Sequence, residues 1–443
     1  MRTSSTVVSG AAPIPPTLSL QQAVMRRWQV VIAGAGPAGA AAAIRLARAG
    51  LQVLLVDRDS MPRGKVCGCC LSPVAMDELD RLGLSATALG GVPLERVRLA
   101  AAGRIATIEM PRGEALSRET LDAALVREAV ASGAHWLPHV DVVAIADAAD
   151  ADATAGVAVH VREPGKGDHH EPLRADYAIV AAGLFDHVRL QELRQTPHQQ
   201  LDQDLEPATR SATAAPRRRV AAASRIGLGA ILDADAIDLP AGELVMAVGR
   251  RGYCGLVRLE DGRIDLAAAV DREGLAAARS AACLVRTILG TAFGDRPLLR
   301  DPERLDAAAF RATPPLTHAS PLAAGPTGRI LRIGDAAGYV EPFTGEGIGW
   351  ALATARLLAE AVVDGDAAGC PALRPVATVA ARYTHAYQRA FRSHHARCRR
   401  VARSLRSPVF VAAAVGAAQV APWAARRLVP AITGGSPIGR HDR

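Results

Sequence analysis

The chain has almost no lysine: of its 52 basic side chains, only Lys65 and Lys166 are not arginine. Aromatic residues are nearly as scarce, at 3%. That excludes the interleaved aromatic and basic stripe on which single-stranded nucleic acid stacks, so no nucleic-acid partner is expected. Cysteine occurs in an odd number, seven, with three crowded at Cys67, Cys69 and Cys70. This is no framework for a secreted disulfide protein. A continuous apolar stretch is missing from Met1–Val24, which is polar and proline-bearing. The short apolar run after Arg26-Arg27 leads directly into a glycine loop, so it reads as a strand and not as a signal peptide. The expected location is cytoplasmic.

What is present is a large stock of small apolar residues. A chain of 443 residues that is 49% hydrophobic can bury a large core. With few aromatics, alanine, valine and leucine must fill it, which suits helices on a sheet. The net charge of +8 fits either a composition bias or an anionic partner, such as a membrane surface or an acidic ligand.

Residues 1–27 read as a disordered leader. Gln29–Ala33 is a short apolar strand, Pro37–Ala49 an alanine-rich helix stopped by Gly50, and Leu51–Val56 a second buried strand ending at Asp57. This is a βαβ unit of the kind that hosts a nucleotide. Ser117 is placed to cap a helix running to Ser132, and strands are expected at Val157–Val161 and Tyr177–Ala181. Residues 191–219 are polar, basic and without period, and read as a loop. Closely spaced strand candidates at Ile226–Leu232, Glu243–Val248, Tyr253–Leu259 and Arg263–Val270 imply an antiparallel sheet. A helix over Leu275–Leu289, a strand at Arg329–Ile333 and a helix over Gly347–Val363 follow. The expected architecture is α/β. A Rossmann-like domain is assembled from residues 28–110, 111–189 and 326–370, an antiparallel-sheet substrate domain spans 220–325, and a helical extension spans 371–443.

Gly34-Ala35-Gly36-Pro37-Ala38-Gly39 fits G-x-G-x-x-G. Gly34 permits the tight turn, Gly36 lets a pyrophosphate approach the backbone, and Gly39 lets helix and strand pack closely. Asp57 closes the second strand, where a carboxylate can accept ribose hydroxyls. The pattern does not choose between NAD and FAD. A second motif does. Arg329-Ile-Leu-Arg-Ile-Gly334-Asp335-Ala336-Ala337-Gly338, followed by Pro342-Phe343-Thr344-Gly345-Glu346-Gly347-Ile348-Gly349, resembles the distal FAD motif of the para-hydroxybenzoate-hydroxylase class of flavoproteins.

That resemblance implies that Asp335 binds the ribityl chain and that the Gly345–Gly347 amides face the N1–C2 edge of the flavin, where a reduced flavin is negative. Pro62-Arg63-Gly64-Lys65-Val66-Cys67-Gly68, with Leu71-Ser72-Pro73, is similar to a loop of the geranylgeranyl-reductase-like branch. Arg118-Glu119-Thr120-Leu121-Asp122 matches the class's R-x-x-L-D helix start, whose arginine contacts FAD, and Gly252–Val257 sits where that branch has an aromatic substrate motif. The implied cofactor set is Gly34, Gly36, Pro37, Ala38, Gly39, Asp57, Arg58, Lys65, Arg118, Gly334, Asp335, Gly345, Gly347 and Ile348. Cys67 is the candidate flavin-proximal catalytic residue, with plain packing as the alternative. Cys67 and Cys70 form a C-x-x-C, but the second nucleotide-binding unit of a flavin disulfide reductase is missing, and no second pair offers a metal site.

The resemblance implies an FAD-dependent oxidoreductase of a hydrophobic small molecule, reducing isoprenoid double bonds with NAD(P)H or another reductant as electron donor. The alternatives are a monooxygenase of an aromatic, quinone or polyketide substrate, and a prenyl-protein escort of the same fold. Ala182 stands where hydroxylases of the class carry an aspartate, which weakens direct NADPH docking there. The C-terminal stretch, Arg397–Arg406 and then an apolar run over Pro408–Ala425, leaves two readings open: a helix in a membrane interface, or a helix packed on the fold with a solvated arginine face.

Overall fold

A computed structural model of the chain describes residues 12–110, 112–148, 156–165, 171–185, 188–192, 218–296, 298–299, 301–324, 327–341, 343, 345–364, 372–421 and 423. The central sheet is built outward from the strand before the glycine loop. Arg27–Ala33 pairs in parallel with Val53–Val56 on one side and Leu173–Val180 on the other. His135–Leu137 and Ile330–Arg332 extend the parallel set at either side. Successive side chains of a strand go to opposite faces. Val30 and Ile32 therefore pack beneath the helices Pro37–Arg48, Arg118–Ala131 and Gly347–Val362. Val31 and Ala33 face the antiparallel ribbon of Asp141–Ala148 and Gly156–Arg162. The Pro37–Arg48 helix is buried without a break from Pro37 to Ile44. Only a run of glycine and alanine is slim enough to sit between the sheet and two further helices.

The second sheet runs in the order Arg311–Pro315, Ile226–Leu232, Ile264–Val270, Gly252–Arg258, Glu243–Gly249, Arg96–Ala101, Arg104–Glu109. It is antiparallel except where Glu243–Val248 lies alongside Arg96–Ala101. Leu228, Cys254, Leu256 and Leu266 pack under the helix Ala281–Phe293. The opposite face is turned to the first domain.

Three expectations need correction. The Arg96–Glu109 hairpin, expected within the first domain, belongs to the second sheet. Its turn is made by Ala102 and Gly103, both at positive φ (50° and 74°), and Arg98 pairs with Glu243 at 2.5 Å. Arginines interleaved with Val97 and Leu99 hid its apolar face. The helix expected over Leu275–Leu289 is two helices, Arg272–Ala277 and Ala281–Phe293, because the Ser280 side chain accepts from the Cys283 amide and restarts the helix.

Residues 12–27 are not a disordered leader. The Ile14 and Thr17 amides donate to the carbonyls of Met61 and Trp136 at 2.9 and 3.0 Å. Leu18, Leu20 and Ala23 join the cluster around Trp28, whose indole N–H donates to the Ala23 carbonyl at 2.9 Å. Their apolar residues are too sparse to show a period, so the sequence hides the docking. Residues 1–11, and most of the expected loop at 191–219, lie outside the described residues.

At the C-terminus, Val376–Ser404 packs Val379, Tyr383 and Phe391 on the first domain, and the chain turns through 101° into Pro408–Val420. No single helix among the described residues is long and apolar enough to cross a membrane.

Candidate functional site

The glycine turn opens the site. A Cβ on Gly34, which has φ +107°, would lie 2.5 Å from the Ala181 carbonyl oxygen, and one on Gly39 only 1.8 Å from the Gly34 carbonyl oxygen. Neither position tolerates a side chain. Gly36 is different: its Cβ would meet nothing nearer than Arg118 Nη2 at 3.8 Å, so the space above it is open. Gly36 also begins the Pro37–Arg48 helix without a side-chain cap, whereas Ser72, Ser117 and Ser280 each cap the helix they begin. The Gly36 turn therefore presents an uncapped helix start to open space, as an anion requires.

Asp57 lies buried at the end of the second strand. It accepts from the Ala35 amide at 2.6 Å and the Asp59 amide at 3.0 Å, and from Arg63 through both oxygens at 2.9 Å. Burial pushes its carboxyl up, but Arg63, Lys65 and the two amides outweigh that and hold it below the usual value. Arg63 thus shares the two oxygens that a ribose would take. Burial, with Arg63 and Arg118 nearby, pushes the Lys65 ammonium down to about 8. Gly34, Asp57, Arg58, Arg63, Lys65 and Ala182 line one open cleft.

Arg118 is gripped by Asp122 one turn along its helix, Nε to Oδ1 at 2.8 Å and Nη2 to Oδ2 at 2.6 Å. It stands beside Cys67. A hydrogen bond from Cys69, opposed by burial and aided by Arg118, brings the half-buried Cys67 thiol down to about 6. The Cys69 thiol is pushed well up by the same bond and by burial, with Asp265 beside it. The described cysteines are all free thiols.

The second motif closes onto the first. A Cβ on Gly334, at φ +58°, would lie 2.8 Å from the Ala38 Cβ, and one on Gly345, at φ +72°, 3.4 Å from the Cys70 Cβ. The Gly334 amide donates to Thr354 Oγ1 at 2.9 Å, and His318 Nε2 lies 2.8 Å from the Asp335 carbonyl oxygen. Burial pushes the Asp335 carboxyl up to about 6 against the pull of Arg118 and Lys65. The Gly347–Val362 helix begins after Glu346 without a side-chain cap, and Ile348 is buried at its first turn. The two motifs thus meet at Gly334 and Ala38, with Arg118 over Gly36 and with Lys65 and Arg118 acting on Asp335.

Three groups escaped the sequence reading. Asp265 sits on the sheet face turned to Cys69, and burial raises its carboxyl well above the usual range; a lone carboxylate in Ile-Asp-Leu-Ala-Ala-Ala-Val was the available signal. Glu346 is buried, and its carboxyl rises to about 8 despite Arg397. Arg225 is buried between Glu341, at 3.0 Å, and Asp271, at 3.1 Å. Its guanidinium lies 5.5 Å from the centre of the Tyr253 ring. The Glu341 carboxyl lies beside the Tyr253 hydroxyl, and the Tyr253 ring meets Phe343 edge-on at 5.0 Å. The partners of Arg225 come from distant segments, which no local pattern reveals.

Comparison with known proteins agrees with this geometry. Residues 27–201 match the family model of an FAD binding domain. The chain is 29% identical over 389 residues to a menaquinone reductase of Mycolicibacterium smegmatis, covering 86% of this chain and 84% of that one. It is 37% identical over 122 residues to a menaquinone reductase of Mycobacterium tuberculosis, which covers 26% of this chain and 30% of that one. Among solved structures, a variant of a flavin-dependent brominase superposes with a TM-score of 0.68 at 16% identity, covering 94% of this chain and 96% of that one. The myxobacterial chondrochloren halogenase gives 0.66 at 18%, covering 94% of each chain. Pseudomonas aeruginosa PqsL gives 0.61 at 19%, covering 88% and 99%. These structures share the fold. The chain is an FAD-dependent oxidoreductase, with an α/β FAD-binding fold like that of the flavin-dependent halogenases and monooxygenases.

Proposed function

We propose that the protein reduces a carbon–carbon double bond in the isoprenoid part of a hydrophobic substrate, such as the tail of a prenylated quinone. One observation carries the reading: a thiol pair backed by a buried carboxyl, Cys67, Cys69 and Asp265, stands between Arg118, which lies above Gly36, and a sheet face of small residues. A Cβ on Gly229 of that face would lie 2.9 Å from Val66, and one on Gly68, in the loop against it, would be 3.9 Å from the Ala267 Cβ. Similarity along most of the chain to a protein named menaquinone reductase supports the substrate class.

The residues fit FAD. The open space above Gly36 suits the pyrophosphate, and the uncapped starts at Gly36 and Glu346 suit its charge and that of a reduced flavin edge. Reduced FAD, when bound, supplies the hydride. The chain then has to hold and deliver one proton. Cys67 rests as a thiolate beside Arg118, so the proton is held behind it, on the Cys69 thiol and the buried Asp265 carboxyl, and passes through the Cys67 sulfur to the substrate. Hydride and proton together saturate the bond. Two electrons per turnover come from a reductant, NAD(P)H or another.

Anaerobic enzyme reduced with dithionite and given menaquinone should return a molecule two hydrogens heavier after its ring is reoxidised in air. Unchanged menaquinone without oxygen, and a product one oxygen heavier in air, would overturn the reading in favour of a monooxygenase.

A further inference from the structure

The C-terminal helix Pro408–Val420 has an apolar face that no part of the described fold covers. Val411, Val415 and Ala418 are buried, in the cluster that also holds Tyr253 and Phe343. Arg104 Nη1 donates to the Ala412 carbonyl at 3.1 Å, and Gln419 Nε2 to the Ile105 carbonyl at 2.7 Å, so the helix is fixed on the Arg96–Glu109 hairpin. The other face, Phe410, Ala413, Ala414, Ala417 and Val420, follows helical spacing and is exposed. Val409, Phe410, Val420 and Trp423 are 81%, 55%, 87% and 67% exposed, half of the large hydrophobic side chains that stand out in solvent among the described residues.

The stretch of chain that carries this helix has charge of one sign. Between Asp366 and Asp442 there are twelve arginines and no carboxylate side chain, in a chain whose net charge is +8, so the remainder is on balance negative. Arg399, Arg400 and Arg403 are exposed at the approach to the 101° bend, and none has an ion-pair partner among the described residues. Arg406 does not belong with them, since it bonds to Asp271 at 3.1 Å and to the Ala223 carbonyl.

We propose that the outer face of Pro408–Val420, with Trp423 and the three arginines at the bend, docks the protein on an anionic lipid surface. Apolar side chains entering the acyl boundary beside cations at headgroup level are what such a surface recognises. A polyanion such as nucleic acid would be served by the arginines but not by the apolar stripe. The bend and the buried inner face keep the helix lying along the surface and not across it. The docking rests on this surface alone and stands whatever the substrate is.

The test is flotation of the FAD-loaded full chain with phosphatidylcholine vesicles, with and without phosphatidylglycerol. The protein should float with the anionic vesicles at low salt and less at high salt. Arg399→Ser/Arg400→Ser/Arg403→Ser should weaken partitioning on the order of a hundredfold at low salt. Phe410→Glu/Val420→Glu should abolish it while the protein stays yellow. Full chain that stays at the bottom of the gradient overturns the proposal. So does flotation that survives both sets of substitutions, or a dimer that ignores vesicles and is split by Phe410→Glu/Val420→Glu, which would assign the face to a second copy.

Discussion

Gly334 and Ala38, from the two distant motifs, are packed so closely that a single methyl on Gly334 would come within 2.8 Å of the Ala38 Cβ. This contact joins the two halves of the cofactor site, and the positive φ of Gly334 adds strain for any other residue. Gly334→Val should therefore separate the motifs and lower the flavin-to-protein absorbance ratio by on the order of tenfold or more, with a lower melting temperature.

Gly36 and Gly39 should behave differently although they share a motif. Gly36→Val fills open space, so the protein should fold, show a near-normal far-UV circular dichroism spectrum and purify colourless. Gly39→Val collides with the Gly34 carbonyl oxygen, a backbone atom that cannot swing away, and should be recovered mostly insoluble. Comparing the soluble yield and flavin content of the two variants checks this.

Cys67 should react as a thiolate above about pH 6. Its alkylation by iodoacetamide, followed by peptide mass spectrometry, should rise through that pH. Cys69→Ala removes the bond that lowers it most and should move the rise upward; Arg118→Leu should do the same. Cys67→Ala should retain flavin and lose turnover on the order of a hundredfold. An unchanged rate would leave the thiol a packing residue.

Glu346 has a folded-state pKa raised to about 8 by burial. In the folded state it holds its proton between its ordinary carboxylate range and pH 8, where the unfolded chain has lost it. Its contribution is thus fully present at acid pH and is lost as pH rises through that window. Glu346→Gln should flatten the fall in melting temperature of the flavin-free protein between pH 5 and pH 8, a change of a few degrees.

The first βαβ unit and the strands of the second sheet were legible because each is a short apolar run closed by glycine or a polar turn. The Arg118–Ala131 helix was legible through its Ser117 cap. The Arg96–Glu109 hairpin was not, because its arginines are satisfied by Glu243, the Ala412 carbonyl and solvent rather than by the local pattern. The docking of residues 12–27 was hidden too: it depends on backbone hydrogen bonds to Met61 and Trp136, which side-chain identity does not announce. In the site, glycines carried the signal, since their need for space is local. Arg63 was visible in the loop but not as a partner of Asp57, and the pairing of Cys69 with Asp265 spans two domains. Buried charge is set by tertiary neighbours, so a sequence names the group and not its state.

Electrons held by this protein should pass to an isoprenoid double bond. The direct measurement is anaerobic mixing of the dithionite-reduced, desalted enzyme with menaquinol, whose ring is already reduced and leaves only the tail to accept electrons. The yellow absorbance of oxidised flavin should return in step with saturation of one tail double bond. An enzyme that stays bleached with menaquinol and regains its colour only when oxygen is admitted would contradict it.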